Sequence, residues 1–203
     1  MAADLDDTRA RVGRRPSTSR AELETVAFTL FAQRGFDDTA VDDIASAAGI
    51  ARRTFFRYYA SKTDLVWGEF DVELDRFRAW FDAVPPGDPV MQAVRRAVVD
   101  FNALPDDQAV VAHRERMSLI LRVPTLFASS TLRFVQWREV IAGFVAGRTG
   151  ADASDLLPVA VGHTALGATL AAYEQWLRDP EARLDVLLDD VLGQLADGFP
   201  GLA

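Results

Sequence analysis

TAVDDIASAAGIARRTFFRYYASK, residues 39–62, reads as two short helices joined by a tight turn. Thr39 stands where a first helix would start, with Asp42 three residues on at the return position of a capping box. Val41, Ile44, Ala45 and Ala48 then recur at the spacing of one helical face. Gly49 can take the left-handed conformation that closes a helix, and Ile50 plugs the turn. A second helix carries Arg52, Arg53, Thr54, Phe55, Phe56, Arg57, Tyr58 and Tyr59, and the small Ala45 and Ala48 allow the two backbones to approach. Phe55, Phe56 and Tyr59 supply an apolar side for burial, while Arg52, Arg53, Thr54, Arg57 and Tyr58 supply donors. Arginine bonds a guanine edge at two points in the major groove, and Thr, Tyr and Lys hold phosphates. The plain alternative is a solvated surface helix that happens to carry three arginines. It leaves the cap, the glycine turn and the apolar face unexplained.

These residues resemble the DNA-binding head of the TetR family of bacterial transcriptional regulators. The matching pieces are Arg34-Gly35-Phe36, Thr39, Ile44-Ala45, Ala48-Gly49-Ile50, Thr54, Tyr58, and Ser61-Lys62 with Asp64-Leu65. The likeness spans roughly residues 20–66. A narrower stretch, RRTFFRYYASKTDLVWGEFD, is similar to regulators found beside mycofactocin biosynthesis clusters in actinobacteria. The resemblance implies an all-α fold of about nine helices: a three-helix head over residues 19–65, and a body over 66–203 that binds an effector and dimerises. It also implies a homodimer on a palindromic operator, with Arg15, Thr39, Arg52, Arg53, Thr54, Arg57, Tyr58 and Lys62 on the DNA. The chain departs from the family in three places. Ala51 replaces the usual Ser or Thr cap, at a cost of roughly 1 kcal/mol. Phe56 replaces a tyrosine and is assigned to packing. Arg53 stands where a small residue is frequent, so it is expected to read a base or grip a phosphate.

Net charge is −8, which at first opposes nucleic acid. Its distribution reverses that inference. Residues 9–62 hold ten basic side chains against six acidic, and residues 63–203 hold 12 against 21. Screening over roughly 10 Å makes the local patch count for more than the total. Lys62 is the one lysine beside 21 arginines, a usage that coding bias explains. The absence of cysteine excludes disulfides and thiolate metal sites. His113 and His163, far apart, give little support to a hydrolytic triad or a zinc site, so neither an enzyme nor a cofactor is expected. No basic-then-apolar leader opens the chain, and a cytoplasmic protein is expected.

Residues 1–18, with Arg9, Arg11, Arg14 and Arg15, read as a flexible basic arm of the kind that lies in a minor groove. Ser19 with Glu22 caps a helix whose stripe is Leu23, Val26, Ala27, Leu30 and Phe31, ended by Gly35. Ser61 with Asp64 caps the next long pattern, in which Leu65, Phe70, Leu74, Phe77 and Phe81 keep helical spacing; this helix is expected to link head and body. Pro85-Pro86-Gly87 stops it, and Asp88 with Pro89 at the first helical position restarts another. Further helices are expected near Asp107–Leu121, from Pro124 to Gly147, from Leu156 and over Ala182–Ala196. The run Leu156–Tyr173 has no formal charge, but Pro158, Gly162, His163, Thr164, Gly167 and Thr169 make it a close-packing helix rather than a membrane span. In the resembled family the last two long helices pair with their copies.

A ligand-responsive repressor is therefore the leading reading, with a helical carrier of hydrophobic ligands that does not touch DNA as the alternative. Aromatics with scattered arginines suit an amphiphile with an anionic head, and the narrower resemblance implies fatty acyl-CoA. Phe70, Phe77, Phe101, Met117, Phe134 and Trp137 are candidates for an acyl tunnel. His113 and Arg116, with Arg95, Arg96, Arg114 and Arg122, are candidates for the head group.

Overall fold

A computed structural model describes residues 18–200. The basic arm and its Arg15 lie outside the described residues, apart from Thr18 at its end. Eleven helices follow one another among the described residues, with no strand. The head is α1 (Arg20–Arg34), α2 (Val41–Ala47) and α3 (Arg52–Tyr58). Ser19 Oγ accepts the Glu22 N–H at 3.1 Å and Glu22 returns to the Ser19 N–H at 2.8 Å, the reciprocal box that the sequence predicts. Gly35 ends α1 at φ 84°.

The start of α2 differs from expectation. Ala40, not Thr39, is the capping residue, and Asp43 accepts the Ala40 N–H at 2.8 Å. Thr39 is 0% exposed and its hydroxyl donates to the Gly35 carbonyl at 2.7 Å, so it ties the loop to the end of α1. Gly49 has φ 66°, and the Ile50 N–H reaches the Ala45 carbonyl at 2.9 Å, which closes α2 in the left-handed manner expected. Ile44, Phe55 and Tyr59 share one buried cluster with Leu23, Ala27 and Phe31 of α1, and Ala45 is buried too.

Two long patterns are broken. α4 (Lys62–Trp67) stops at Gly68, and α5 (Phe70–Asp82) starts afresh. Gly68 has φ 61° and ψ −128°, a conformation close to glycine's alone. The second break is at Ser130, between α8 (Pro124–Ser129) and α9 (Thr131–Thr149). These two breaks turn the expected nine helices into eleven. Pro124 opens α8, and Pro89 caps α6 (Val90–Phe101) from one residue outside it.

The body packs α5 and α6 with α7 (Asp107–Arg122), α9, α10 (Leu156–Arg178) and α11 (Leu184–Ala196). Its buried set includes Leu74, Phe77, Val94, Ile120, Ile141, Trp176, Leu188 and Leu192, and forms one cluster with the head's buried residues, Leu65 and Leu126 included. α10 is long and apolar enough to cross a membrane by composition. It lies against α9 and α11, buries Tyr173 and Trp176, and brings Gly162 so near α9 that an added Cβ would stand 2.8 Å from the Arg138 carbonyl oxygen. That is the close helix–helix contact which the small residues predict.

Candidate nucleic-acid interface and ligand cavity

The outer face of α3 carries Arg52, Arg53, Phe56 and Arg57, all exposed, with Thr54 and Tyr58 half-buried. Phe55 fills the inner face. Ala51 caps α3 without a side-chain bond, as the departure from the family pattern requires. Phe56 corrects the sequence reading: it is 44% exposed, edge-on to Phe55, with the Arg52 guanidinium 5.5 Å from its ring centre. Arg52 also meets Asp42 of α2 at 2.7 Å. Both partners are largely exposed, and such pairs contribute at most about 1 kcal/mol, so the guanidinium can exchange this partner for DNA at little cost.

Tyr58 and Lys62 are more constrained than the sequence implies. The Tyr58 hydroxyl donates to the Thr18 carbonyl, which ties α3 to the start of α1. Lys62 Nζ donates to the Phe36 carbonyl and, at 2.7 Å, to the Thr39 carbonyl, and stands 4.1 Å above the Phe36 ring. Burial pulls its pKa below the usual lysine value, against the upward pull of Asp37 and Asp38. It therefore braces the loop before α2. Thr39, sealed inside, presents no hydroxyl to DNA.

A cavity of about 700 Å³ opens between α1, α4–α7, α9 and α10. Of the candidates for an effector site, Phe70, Phe101, His113, Arg116, Met117, Phe134 and Trp137 lie on its wall. Phe77 does not. It is buried behind the wall, stacked on Trp137 at 5.4 Å between ring centres. The other arginines point elsewhere: Arg95 makes a two-point pair with Asp189 of α11 at 2.6 and 2.5 Å, Arg96 pairs with Asp88, Arg114 bonds the Trp176 carbonyl, and Arg122 bonds the Leu177 carbonyl at 2.9 Å.

Polar groups on the wall are joined to one another. His113 Nε2 lies 2.7 Å from the Tyr173 hydroxyl, which donates in turn to Asn102 Oδ1. Burial, then the nearby Arg116, holds the His113 imidazole down at about 4, and burial pushes the Tyr173 hydroxyl up. Arg116 reaches out of the body. Its Nη2 donates to Glu24 of α1 at 2.6 Å and its Nη1 to the Val66 carbonyl of α4. Glu24 also accepts the Tyr59 hydroxyl at 2.8 Å. A second tie joins Arg133 of α9 to Asp64 of α4 at 2.6 Å. Burial raises the Asp64 carboxyl, but bonds from Ser61 and Arg133 outweigh it and leave it below its ordinary value. Sequence reasoning missed Glu24, Asn102, Tyr173 and Gly68. Only the pairings across the fold reveal the first three. A lone glycine inside a helical pattern was the available sign for the fourth.

Residues 25–66 match the family described as bacterial regulatory proteins, tetR family, and residues 88–200 match the MftR C-terminal domain. A protein of Mycobacterium tuberculosis assigned as the mycofactocin biosynthesis transcriptional regulator MftR is 46% identical over 187 residues, 91% of this chain and 94% of that one. Among solved structures, the fatty acid degradation regulator FadR of Bacillus halodurans superposes with a TM-score of 0.64 at 16% identity, covering 89% of this chain and 99% of that one. The FadR repressor of Thermus thermophilus, solved with lauroyl-CoA, gives 0.55 at 20% identity, with 89% and 94% covered. At those identities the two structures speak for the fold alone.

Proposed function

Because the chain belongs to the TetR family of bacterial transcriptional regulators, with a C-terminal domain of the MftR kind, we propose that it is a cytoplasmic repressor released from its operator by an amphiphilic ligand. One observation carries this reading: Arg116 stands on the cavity wall and bonds both α1 and α4 of the DNA-binding end, so occupancy and head position share a side chain. Arg52, Arg53 and Arg57 on the open face of α3 enter the major groove, where arginine reads guanine and grips phosphate. Two heads on a homodimer, roughly 34–36 Å apart, read the two halves of a palindrome. The small exposed row Ala160, Thr164, Gly167 and Ala171 on α10 suits the pairing face.

The ligand on this reading is a fatty acyl-CoA or a close relative. An aromatic-walled cavity of about 700 Å³ is of ordinary size for a small-molecule site and takes an acyl chain. The lauroyl-CoA held by a regulator of the same fold supports the class. The ligand weakens DNA binding only by favouring one conformation over the other, so its affinity must differ between them.

The test begins with genomic fragments that the purified protein retains at moderate salt, which supply the operator. Arg52→Ala with Arg53→Ala should lower operator affinity at least about a hundredfold, since each removed base or phosphate contact is worth roughly 1–3 kcal/mol. Calorimetry with acyl-CoAs of several lengths should give the same heats as in the unaltered protein. Unchanged DNA binding in the double variant would favour a carrier, and no heat at any length would remove the acyl-CoA reading.

A further inference from the structure

Arg116 sits where three elements meet. From α7 it bonds Glu24 of α1 through Nη2 and the Val66 carbonyl in the last turn of α4 through Nη1, with its guanidinium 5.1 Å from the Phe28 ring centre. Arg116 and Glu24 are each 23% exposed at the side chain, so the pair is shielded but open towards the cavity that both of them line. A Cβ at Gly68 would stand 2.9 Å from Nη1, so the bare backbone of that turn is part of the slot the guanidinium fills. Glu24 divides its two oxygens: Oε2 faces Arg116 and Oε1 accepts the hydroxyl of Tyr59, the buried residue that ends α3. Arg116 is thus two side-chain hydrogen bonds from the end of the recognition helix.

Three cations stand on the cavity wall, Arg20, Arg76 and Arg116. Arg76 pairs with Glu73 at 2.9 Å, Arg20 of α1 lies 5.2 Å from the Tyr59 ring centre, and His113 is neutral at physiological pH. Arg116 is the one of the three that hydrogen-bonds from the body to both α1 and α4, and so the cation through which a ligand's charge reaches the head. Resting on the regulator reading above, we propose that ligand class is read by charge exchange: an anionic head group takes the Arg116 guanidinium from Glu24, and the loss of that pair, rather than filling of the apolar space, frees α1 and the end of α3. A guanidinium that trades one oxyanion for another keeps its charge-assisted bonds. Glu24 does not. It loses its bonded guanidinium beside a second negative charge, and it moves away with Tyr59. A neutral amphiphile of equal length fills the same apolar space, has no charge with which to compete, and leaves the head in place.

The experiment titrates operator binding of the full chain by fluorescence anisotropy with decanoate, decanoyl-CoA or 1-decanol, and measures binding of each probe by calorimetry. The expected result is a loss of operator affinity of about tenfold or more with an anionic probe, within the usual range of coupling between sites. Bound 1-decanol should change it less than about twofold. Glu24→Gln keeps an acceptor for Tyr59 and removes the charge. It should weaken ligand-free operator binding, tighten binding of the anionic probe and abolish most of that probe's effect on DNA, because coupling is reciprocal. Release by only one of the two anions upholds the exchange and identifies the carboxylate or the phosphorylated thioester as its source. Equal release by bound 1-decanol, or a Glu24→Gln response like that of the unaltered chain, overturns the exchange and leaves the regulator reading standing. If no probe binds, or none alters DNA affinity, the ligand-responsive reading falls and the exchange with it. The alcohol comparison uses the unaltered chain and so does not depend on whether the variant folds.

Discussion

His113 shows how burial decides what a side chain can do in the cavity. Its imidazole is held down at about 4 by burial and then by Arg116, and its Nε2 lies 2.7 Å from the Tyr173 hydroxyl. Since that hydroxyl donates to Asn102, it accepts from His113, which places the imidazole proton on Nε2. His113 therefore orients the wall and brings no charge to a ligand near neutral pH. The folded value lies below the unfolded 6.5, so the unfolded chain binds the proton more readily as the medium acidifies. Stability from this group is complete above about 6.5 and is lost as pH falls towards 4. The gap between unaltered protein and His113→Gln in urea unfolding should narrow by about 2–3 kcal/mol between pH 8 and pH 4.5. A gap independent of pH would mean that the imidazole charges as freely in the folded chain as in the unfolded one.

Glycines decide several of the element boundaries and contacts, each for a different reason. Gly68 holds φ 61° and ψ −128°, where any other residue costs about 1–3 kcal/mol, and its missing Cβ leaves room for Arg116. Gly68→Ala should lower the unfolding midpoint. Because the flexible guanidinium yields before the backbone does, it should also weaken ligand-free operator binding. Gly162→Ala meets the Arg138 carbonyl oxygen at 2.8 Å, which cannot swing aside, so α9 and α10 must separate at about 1–3 kcal/mol. Gly143, exposed in the middle of α9 with open space around it, gives the opposite sign: Gly143→Ala should stabilise by about 0.5–1 kcal/mol. Thermal and urea unfolding check all three. Helix starts were legible wherever a side chain does the capping, as at Ser19 and Ser61, because that chemistry is local. The break at Gly68 was masked, because Val66 and Phe70 keep helical spacing across it; the glycine itself was the one local sign, and its close approach to Arg116 is visible only in the fold. The apolar cavity wall could be read from periodicity, which marks inward faces. Glu24, Asn102 and Tyr173 could not, because their partners lie 92, 71 and 60 residues away.

At the scale of the molecule, the proposed repressor uses a second copy so that two heads together choose one operator among many sites. The outer row of α10 (Ala160, Thr164, Gly167 and Ala171) is exposed and small, and Leu187, Val191 and Leu195 of α11 are only partly covered. Both features suit the proposed pairing of these helices with their copies. Gly167 separates pairing from folding, because a Cβ there meets nothing within 4 Å of the single chain. Gly167→Arg should therefore leave the protomer folded and, by helix propensity, slightly more stable. Placed on the proposed interface, its buried and unpaired guanidinium should hold the protein as a monomer in sedimentation. A monomer engages one half-site where a dimer engages two, so operator affinity should fall by at least about a hundredfold, towards non-specific binding. Heats of acyl-CoA binding should persist, since no residue of the cavity wall is touched. If Gly167→Arg sediments as a dimer and still binds the operator tightly, α10 does not form the pairing face, and the two heads must be spaced by some other surface of the body.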